Sequence, residues 1–182
     1  PLDLAEHLEE LRALPGRMSR VTPEKVPFSL IVDYAHTPGA FHRVLPIIKE
    51  STENRLIVVF GSAGERDLQK RPIQGNIAAT YAEVVILADE DPRLEDSMTI
   101  LEQIAAGVEE QWESTGAKGT LELIPDRTEA IERAIELAEP GDTILCLGKG
   151  HESSIIYPDG PRPWDEQEWA RELLKKHGHG VE

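Results

Sequence analysis

Cysteine is almost missing from this sequence. Cys146 is the single one in 182 residues, which excludes an intramolecular disulfide framework and a cysteine-rich zinc site. A reducing cytosol is therefore the expected compartment. Long apolar runs are missing too: none approaches the roughly 20 residues needed to span a bilayer, so no membrane partner is expected. The opening PLDLAEHLEELRAL is acidic with a helical pattern, unlike a signal or transit peptide. Positive charge is scarce, with 19 Lys and Arg against 34 Asp and Glu, a net charge of −15. Nonspecific nucleic-acid binding needs cationic surface to displace counterions, so nucleic acid is not an expected partner. The acidity reads as solubility, and any anionic ligand must be held by local Arg, Lys or backbone N–H groups.

Several nucleotide and metal signatures are also lacking. No GxxxxGK followed by Ser or Thr occurs, and Gly148-Lys149 is followed by Gly150, so there is no Walker A loop. There is no GxGxxG with its later acidic partner, and no His/Cys/Asp spacing suited to a closed zinc site. Metal ligands are therefore not assigned within this chain.

What is present is an alternating pattern. An apolar fraction of 40% suffices for a core, and 29% charged residues suits a soluble surface. Short β-branched runs at Phe28–Tyr34, Arg55–Phe60, Val84–Asp89, Thr120–Ile124 and Thr143–Leu147 predict strands. Amphipathic stretches at Pro38–Ser51, Arg71–Ala82, Ser97–Ser114 and Arg127–Ala138 predict helices between them. Strands separated by helical patterns read as βαβ units, giving an α/β, Rossmann-like three-layer sandwich with a mostly parallel sheet. Three strands are nearly continuous apolar runs, as expected when both faces are covered. Ser154–Trp164 contains PDGPRP after SIIY and reads as a hairpin or irregular turn. Glu166–Lys176 predicts a last helix, and residues 177–182 a frayed tail. Leu2–Leu14 predicts a short helix that Pro15-Gly16 breaks. It is open whether that helix belongs to this domain or is a linker from a preceding one. Cys146, among Ile144, Leu145 and Leu147, reads as a small buried apolar residue. Trp164 and Trp169 read as packing for the last helix.

Ligands of open α/β sheets bind at the carboxyl ends of the strands. The chemically distinctive residues collect there: Asp33-Tyr34-Ala35-His36, Gly61–Asp67 with Arg66, Asp89-Glu90-Asp91-Pro92-Arg93, and Gly148–Glu152. Glycine lets backbone N–H groups approach an anion in the GSAGERD loop, and Arg66 adds charge. The acidic trio Asp89, Glu90 and Asp91 could receive an amine or a metal, or form a solvated turn. Arg93 could bind a carboxylate through its planar fork. His36 and His151 could meet across the edge. Each loop alone also reads as an ordinary turn; their convergence carries the argument.

Taken together, PGRM (Pro15–Met18), VDYAHTP (Val32–Pro38), FGSAGERDLQKRP (Phe60–Pro72), DEDPRLED (Asp89–Asp96), DRTEAIERAI (Asp126–Ile135) and GKGHE (Gly148–Glu152) resemble the C-terminal domain of Mur ligases. The similarity is greatest to the UDP-N-acetylmuramoyl-tripeptide synthetase type, which adds the third residue of the stem peptide in peptidoglycan synthesis. It runs from Pro15 to about Leu174 and implies a six-stranded sheet, a domain over residues 16–176 and a linker helix over 1–15. The chain begins PLDL without Met, so excision from a longer ligase is expected. The family reaction uses ATP and Mg2+ to activate the carboxylate of a UDP-N-acetylmuramoyl dipeptide as an acyl phosphate, which an amino acid's amine then attacks. The family's N-terminal domain holds the UDP end, and its central domain supplies the P-loop, magnesium ligands and a carbamylated lysine. None of these is in this chain, so the isolated chain is expected to be inactive and monomeric.

The resemblance also implies roles. Arg17, Asp33 and His36 are expected to reach ATP. Arg66 is expected to hold a carboxylate of the incoming diamino acid. Glu90, Asp91, Pro92 and Arg93 align with the DNPR motif, whose arginine binds the distal carboxylate of meso-diaminopimelate. Gly148 and Glu152 are expected to take the amino acid's polar ends. Asp91 replaces the usual asparagine, which would disfavour a nearby substrate carboxylate and favour an ammonium. Lysine and ornithine thus stay open beside meso-diaminopimelate. Two other readings are a free-standing module that binds a small zwitterion, and a Mur-type synthetase acting on folate or cyanophycin.

Overall fold

The computed structural model describes residues 16–180. The expected N-terminal helix lies outside the described residues. Strands β1 (Ser19–Arg20), β2 (Ser29–Asp33), β3 (Leu56–Phe60), β4 (Val84–Leu87), β5 (Thr120–Leu123) and β6 (Thr143–Leu147) form one six-stranded sheet in the order β1-β2-β6-β3-β4-β5. All neighbours from β2 to β5 pair in parallel, and β1 alone runs antiparallel, with Ser19 opposite Val32. The sequence pattern did not mark β1, because two residues are too few to show alternation.

Helices α1 (Pro38–Ser51), α2 (Lys70–Tyr81), α3 (Ser97–Thr115) and α4 (Arg127–Leu137) connect successive strands. The chain steps in one direction from β2 through β3 and β4 to β5, then returns to β6. Right-handed crossovers put helices on opposite faces for opposite directions of travel. Phe41, Leu45, Ile77, Ile100 and Ile104 of α1–α3 accordingly pack on one face. Ala130 and Ile131 of α4, with Ala170 and Leu173 of α5 (Glu166–Lys176), pack on the other. Residues of β3, β4 and β6 are buried throughout, including Cys146, because helices cover both sides.

Side-chain caps fix where the helices begin. The side chains of Thr37, Asp96, Asp126 and Asp165 each accept a backbone N–H of the first turn, satisfying donors that the helix itself cannot. Gly116 ends α3 at φ 69°. Where α2 crosses α3, a Cβ on Gly107 would sit 1.9 Å from the Pro72 carbonyl oxygen. Only glycine permits that approach.

Strands β7 (Ser154–Tyr157) and β8 (Gly160–Pro163) form a separate antiparallel hairpin. The tail differs from expectation among its described residues. The His177 Nε2 lies 2.7 Å from Glu132 Oε1, and the His179 ring meets Phe28 edge-on at 5.1 Å. An acidic partner and an apolar ring give these histidines packing that the glycine-rich composition alone did not suggest.

Candidate functional site

Because β2, β6, β3 and β4 are parallel neighbours, their carboxyl ends share one rim. The loops after them hold His36, Arg66, Glu90, Asp91, Pro92, Arg93, Gly148 and Glu152, with Asp33 at the end of β2, and Arg17 joins them from the segment before β1. At one end, Asp33 Oδ2 accepts the Met18 N–H at 2.9 Å and its Oδ1 accepts the Ala35 N–H at 2.8 Å. Asp33 is buried, and it thereby locks the loop carrying Arg17 against the end of β2. Arg17 itself is exposed, its guanidinium 5.0 Å from the centre of the Tyr34 ring. His36 and His151 pack on the same ring at 4.6 and 4.8 Å, so the two histidines converge through Tyr34. His36 Nδ1 lies 2.9 Å from the Tyr34 carbonyl oxygen. A Cβ on Gly150 would stand 2.6 Å from Tyr34 Cβ, and one on Gly16 would stand 2.2 Å from the Gly150 carbonyl carbon. Both glycines have positive φ, 49° and 70°, so a side chain at either would separate the two loops.

The other end of the rim is charged and tightly braced. Lys149, fully buried, donates to Asp91 Oδ1 at 2.9 Å and to Glu152 Oε2 at 2.6 Å. Tyr34 donates its hydroxyl to Glu152 Oε1 at 3.2 Å. Asp91 Oδ1 also accepts the Ile156 N–H at 2.9 Å, and Arg93 donates its N–H to the Ile156 carbonyl at 2.9 Å. The hairpin thus clamps this loop. Arg93 sits at φ 57°, a conformation that costs a non-glycine residue of order 1 kcal/mol and that clusters at ligand clamps. Its Nε is buried and has no hydrogen-bond partner among the described residues; the same holds for Glu90 Oε2. A Cβ on Gly148, at φ 106°, would lie 3.1 Å from that Glu90 oxygen. Arg66 is exposed, on a loop whose Gly64 N–H donates to the Asp91 carbonyl at 2.8 Å.

Beneath the rim lies a buried ion pair. Arg127 and Glu166 meet at 2.6 and 2.8 Å, both fully buried. Arg127 also donates to the Asp89 carbonyl at 3.0 Å and the Leu147 carbonyl at 2.8 Å. Trp164 Nε1 donates to Glu166 Oε2 at 2.8 Å. One guanidinium therefore ties the ends of β4 and β6 to α5. Arg71, likewise buried, holds Glu95 Oε2 at 2.8 Å, Gln103 Oε1 at 2.7 Å and the Ala63 carbonyl at 3.2 Å.

Burial holds the Glu90 carboxyl above the ordinary glutamate value of 4.5, against the opposing charges of Lys70, Arg127, His36 and Lys149. Burial likewise raises Asp89, against a hydrogen bond from Ser97 and the charge of Arg127. It also pushes Tyr157 up to about 12, with the charge of Asp89 adding to the effect. The folded chain binds the Glu90 proton more tightly than the unfolded chain does. The cost of ionising Glu90 is thus fully present above its raised value and fades as pH falls towards 4.5. Glu90→Gln is expected to stabilise the fold by about 1 kcal/mol at pH 8, with the gain shrinking on acidification. Urea unfolding of both proteins at pH 8 and pH 5 checks this; a pH-independent difference would remove the buried charge as its cause.

One rim thus gathers a buried cation bridging two acids, an arginine at positive φ and a carboxylate oxygen without a partner among the described residues. Residues 16–150 match the family model described as Mur ligase, glutamate ligase domain. The chain belongs to the Mur ligase family. It is 51% identical over 173 residues to the UDP-N-acetylmuramyl-tripeptide synthetase of Roseiflexus sp. (strain RS-1), covering 95% of this chain and 33% of that protein. It is 38% identical over 179 residues to the UDP-N-acetylmuramoyl-L-alanyl-D-glutamate–2,6-diaminopimelate ligase of Solibacter usitatus (strain Ellin6076), covering 98% and 35%. A solved structure of a UDP-N-acetylmuramoyl-L-alanyl-D-glutamate–2,6-diaminopimelate ligase superimposes with a TM-score of 0.77 at 34% identity, covering 97% of this chain and 34% of that one. The chain thus spans about a third of the length of these relatives.

Within this Mur ligase domain, sequence reasoning passed over Lys149, Tyr34 and Arg127 as site-forming residues. Lys149 stands in the sequence only as part of the GKGHE string, with no role of its own. The available signal was its place directly after the buried strand β6, where a lysine must find acids. The expected effect of Asp91 also changes. Its carboxylate is paired internally with Lys149, so it does not present an uncompensated charge to a ligand.

Proposed function

We infer that this chain is the amino-acid- and ATP-contacting C-terminal domain of an ATP-dependent ligase that adds a diamino acid to UDP-N-acetylmuramoyl-L-alanyl-D-glutamate in the cytoplasm. The observation that carries the reading is the loop 90–93. It holds a buried carboxylate oxygen and a buried guanidinium nitrogen, neither with a partner among the described residues. An α-amino acid with a further carboxylate offers the ammonium and the anion that such groups lack. In this reading Arg93 takes the distal carboxylate of meso-diaminopimelate and Arg66 takes another carboxylate. Glu90 and Glu152 face its amines, and Pro92 and Gly148 shape the wall.

At the nucleotide end, Arg17 and His36 face ATP, and Asp33 acts by holding the Arg17 loop. The substrate carboxylate attacks the γ-phosphorus of MgATP and ADP leaves. The acceptor amine then attacks the acyl carbon and phosphate leaves. Magnesium and the phosphate loop belong, in this reading, to the domains that make up the remaining two thirds of the relatives' length. This chain binds and orients the amine next to the acyl carbon, where positioning is worth several kcal/mol.

Lysine or ornithine is the second reading. It is favoured by relatives at 51% and 48% identity whose names specify no acceptor. The deciding experiment measures phosphate release by the full-length protein with ATP, the UDP-linked dipeptide and each amino acid in turn. Turnover dependent on a diamino acid is expected, with none from the 182-residue chain alone. Phosphate release indifferent to every amino acid would sink the assignment.

A further inference from the structure

Lys149 is a fully buried lysine at the rim of an open sheet, and burial of an ammonium is tolerated only with close anionic partners. It has two, and they come from different loops: Asp91 after β4, and Glu152 three residues further on. Each acid is also held from another direction, Asp91 by the Ile156 N–H at 2.9 Å and Glu152 by the Tyr34 hydroxyl at 3.2 Å. The side chains of Asp91 and Glu152 remain 13% and 35% exposed, so a ligand in the pocket can touch both. Their common partner cannot be touched.

Resting on the ligase reading above, we propose that Lys149 is a positioning and specificity-setting residue of the acceptor pocket: its ammonium cancels the Asp91 charge, which lets Arg93 hold a substrate carboxylate next to it, and fixes the Glu152 carboxylate to receive the acceptor's amine. Lys149 acts through these two acids and touches no reacting atom. A lysine that served only as a core brace would, when removed, lower stability and total activity without singling out one substrate.

The test uses steady-state kinetics of the full-length protein, with meso-diaminopimelate and lysine as acceptor probes and ATP and the UDP-linked dipeptide varied separately. Lys149→Met is expected to raise the acceptor KM on the order of 100-fold, the scale of a displaced positioning group, while the KM for ATP stays within about twofold. Lys149→Arg, which keeps the charge, recovers about tenfold of that loss. Should Lys149→Met not fold, Lys149→Met combined with Asp91→Asn leaves no bare buried carboxylate at position 91 and is compared with Asp91→Asn alone: loss of the cation beside Glu152 is expected to raise the acceptor KM about tenfold, and equal KM values for the two overturn the role. An acceptor KM unchanged in a folded variant, or one that moves in step with the KM for ATP, overturns the role. A wild-type enzyme that ligates no amino acid overturns the ligase reading, and this role with it. Wild-type turnover with an indifferent Lys149 overturns this role alone.

Discussion

Arg127→Met is expected to lower the unfolding free energy by about 3–5 kcal/mol, the cost of stranding a buried carboxylate. Glu166 is fully buried and would keep only the Trp164 Nε1 donor at 2.8 Å. The Glu166 charge and hydrogen bond hold the Arg127 guanidinium protonated against a burial that favours the neutral form. Removing both charges, as Arg127→Met with Glu166→Leu, should recover part of the loss, since apolar replacements for a buried pair are often tolerated. Recovery stays incomplete because the Asp89 and Leu147 carbonyls and the Trp164 N–H lose their partners, at about 1–3 kcal/mol each where they stay dry. Urea unfolding of the chain and both variants measures this through shifts in midpoint at constant slope. A single variant as stable as the parent would show that water reaches Glu166.

Arg93→Ala in the full-length enzyme should raise the KM for meso-diaminopimelate by about 10- to 100-fold, roughly 1–3 kcal/mol of lost charged hydrogen bonding. The KM for lysine, which has no second carboxylate, should hardly move. Arg93→Lys should restore little, because an ammonium cannot reproduce the planar fork. The backbone argues in the same direction: φ 57° at Arg93 is held by its N–H bond to Ile156, and strain of this kind persists where surrounding structure enforces it. Equal KM values for parent and Arg93→Ala would take Arg93 out of the pocket.

Much of this architecture could be read from the chain before any coordinates. Periodicity separated β2 to β6 from α1 to α5 because the helices are long enough to show their repeat and β3, β4 and β6 are continuous apolar runs buried on both faces. The shared rim followed from parallel pairing alone. Local pattern could not reveal contacts between residues far apart in sequence. Nothing near Lys149 announces Asp91, 58 positions away, and nothing near Arg127 announces Glu166, 39 away. Asp91 shows the consequence: as a letter it replaces an amide with a charge, but in space that charge is already answered. Asp33 likewise reads as a ligand in the motif, yet both its oxygens hold backbone N–H groups in the fold.

The β7–β8 hairpin shares no strand pairing with the main sheet, yet Ile156 grips both the Asp91 side chain and the Arg93 backbone. An ornament at the periphery therefore sets the pitch of the loop at the centre. Lengthening its turn at Asp159-Gly160, or trading its residues, offers a route to reposition the 90–93 loop, and with it the proposed acceptor site, while every residue of that loop keeps its identity.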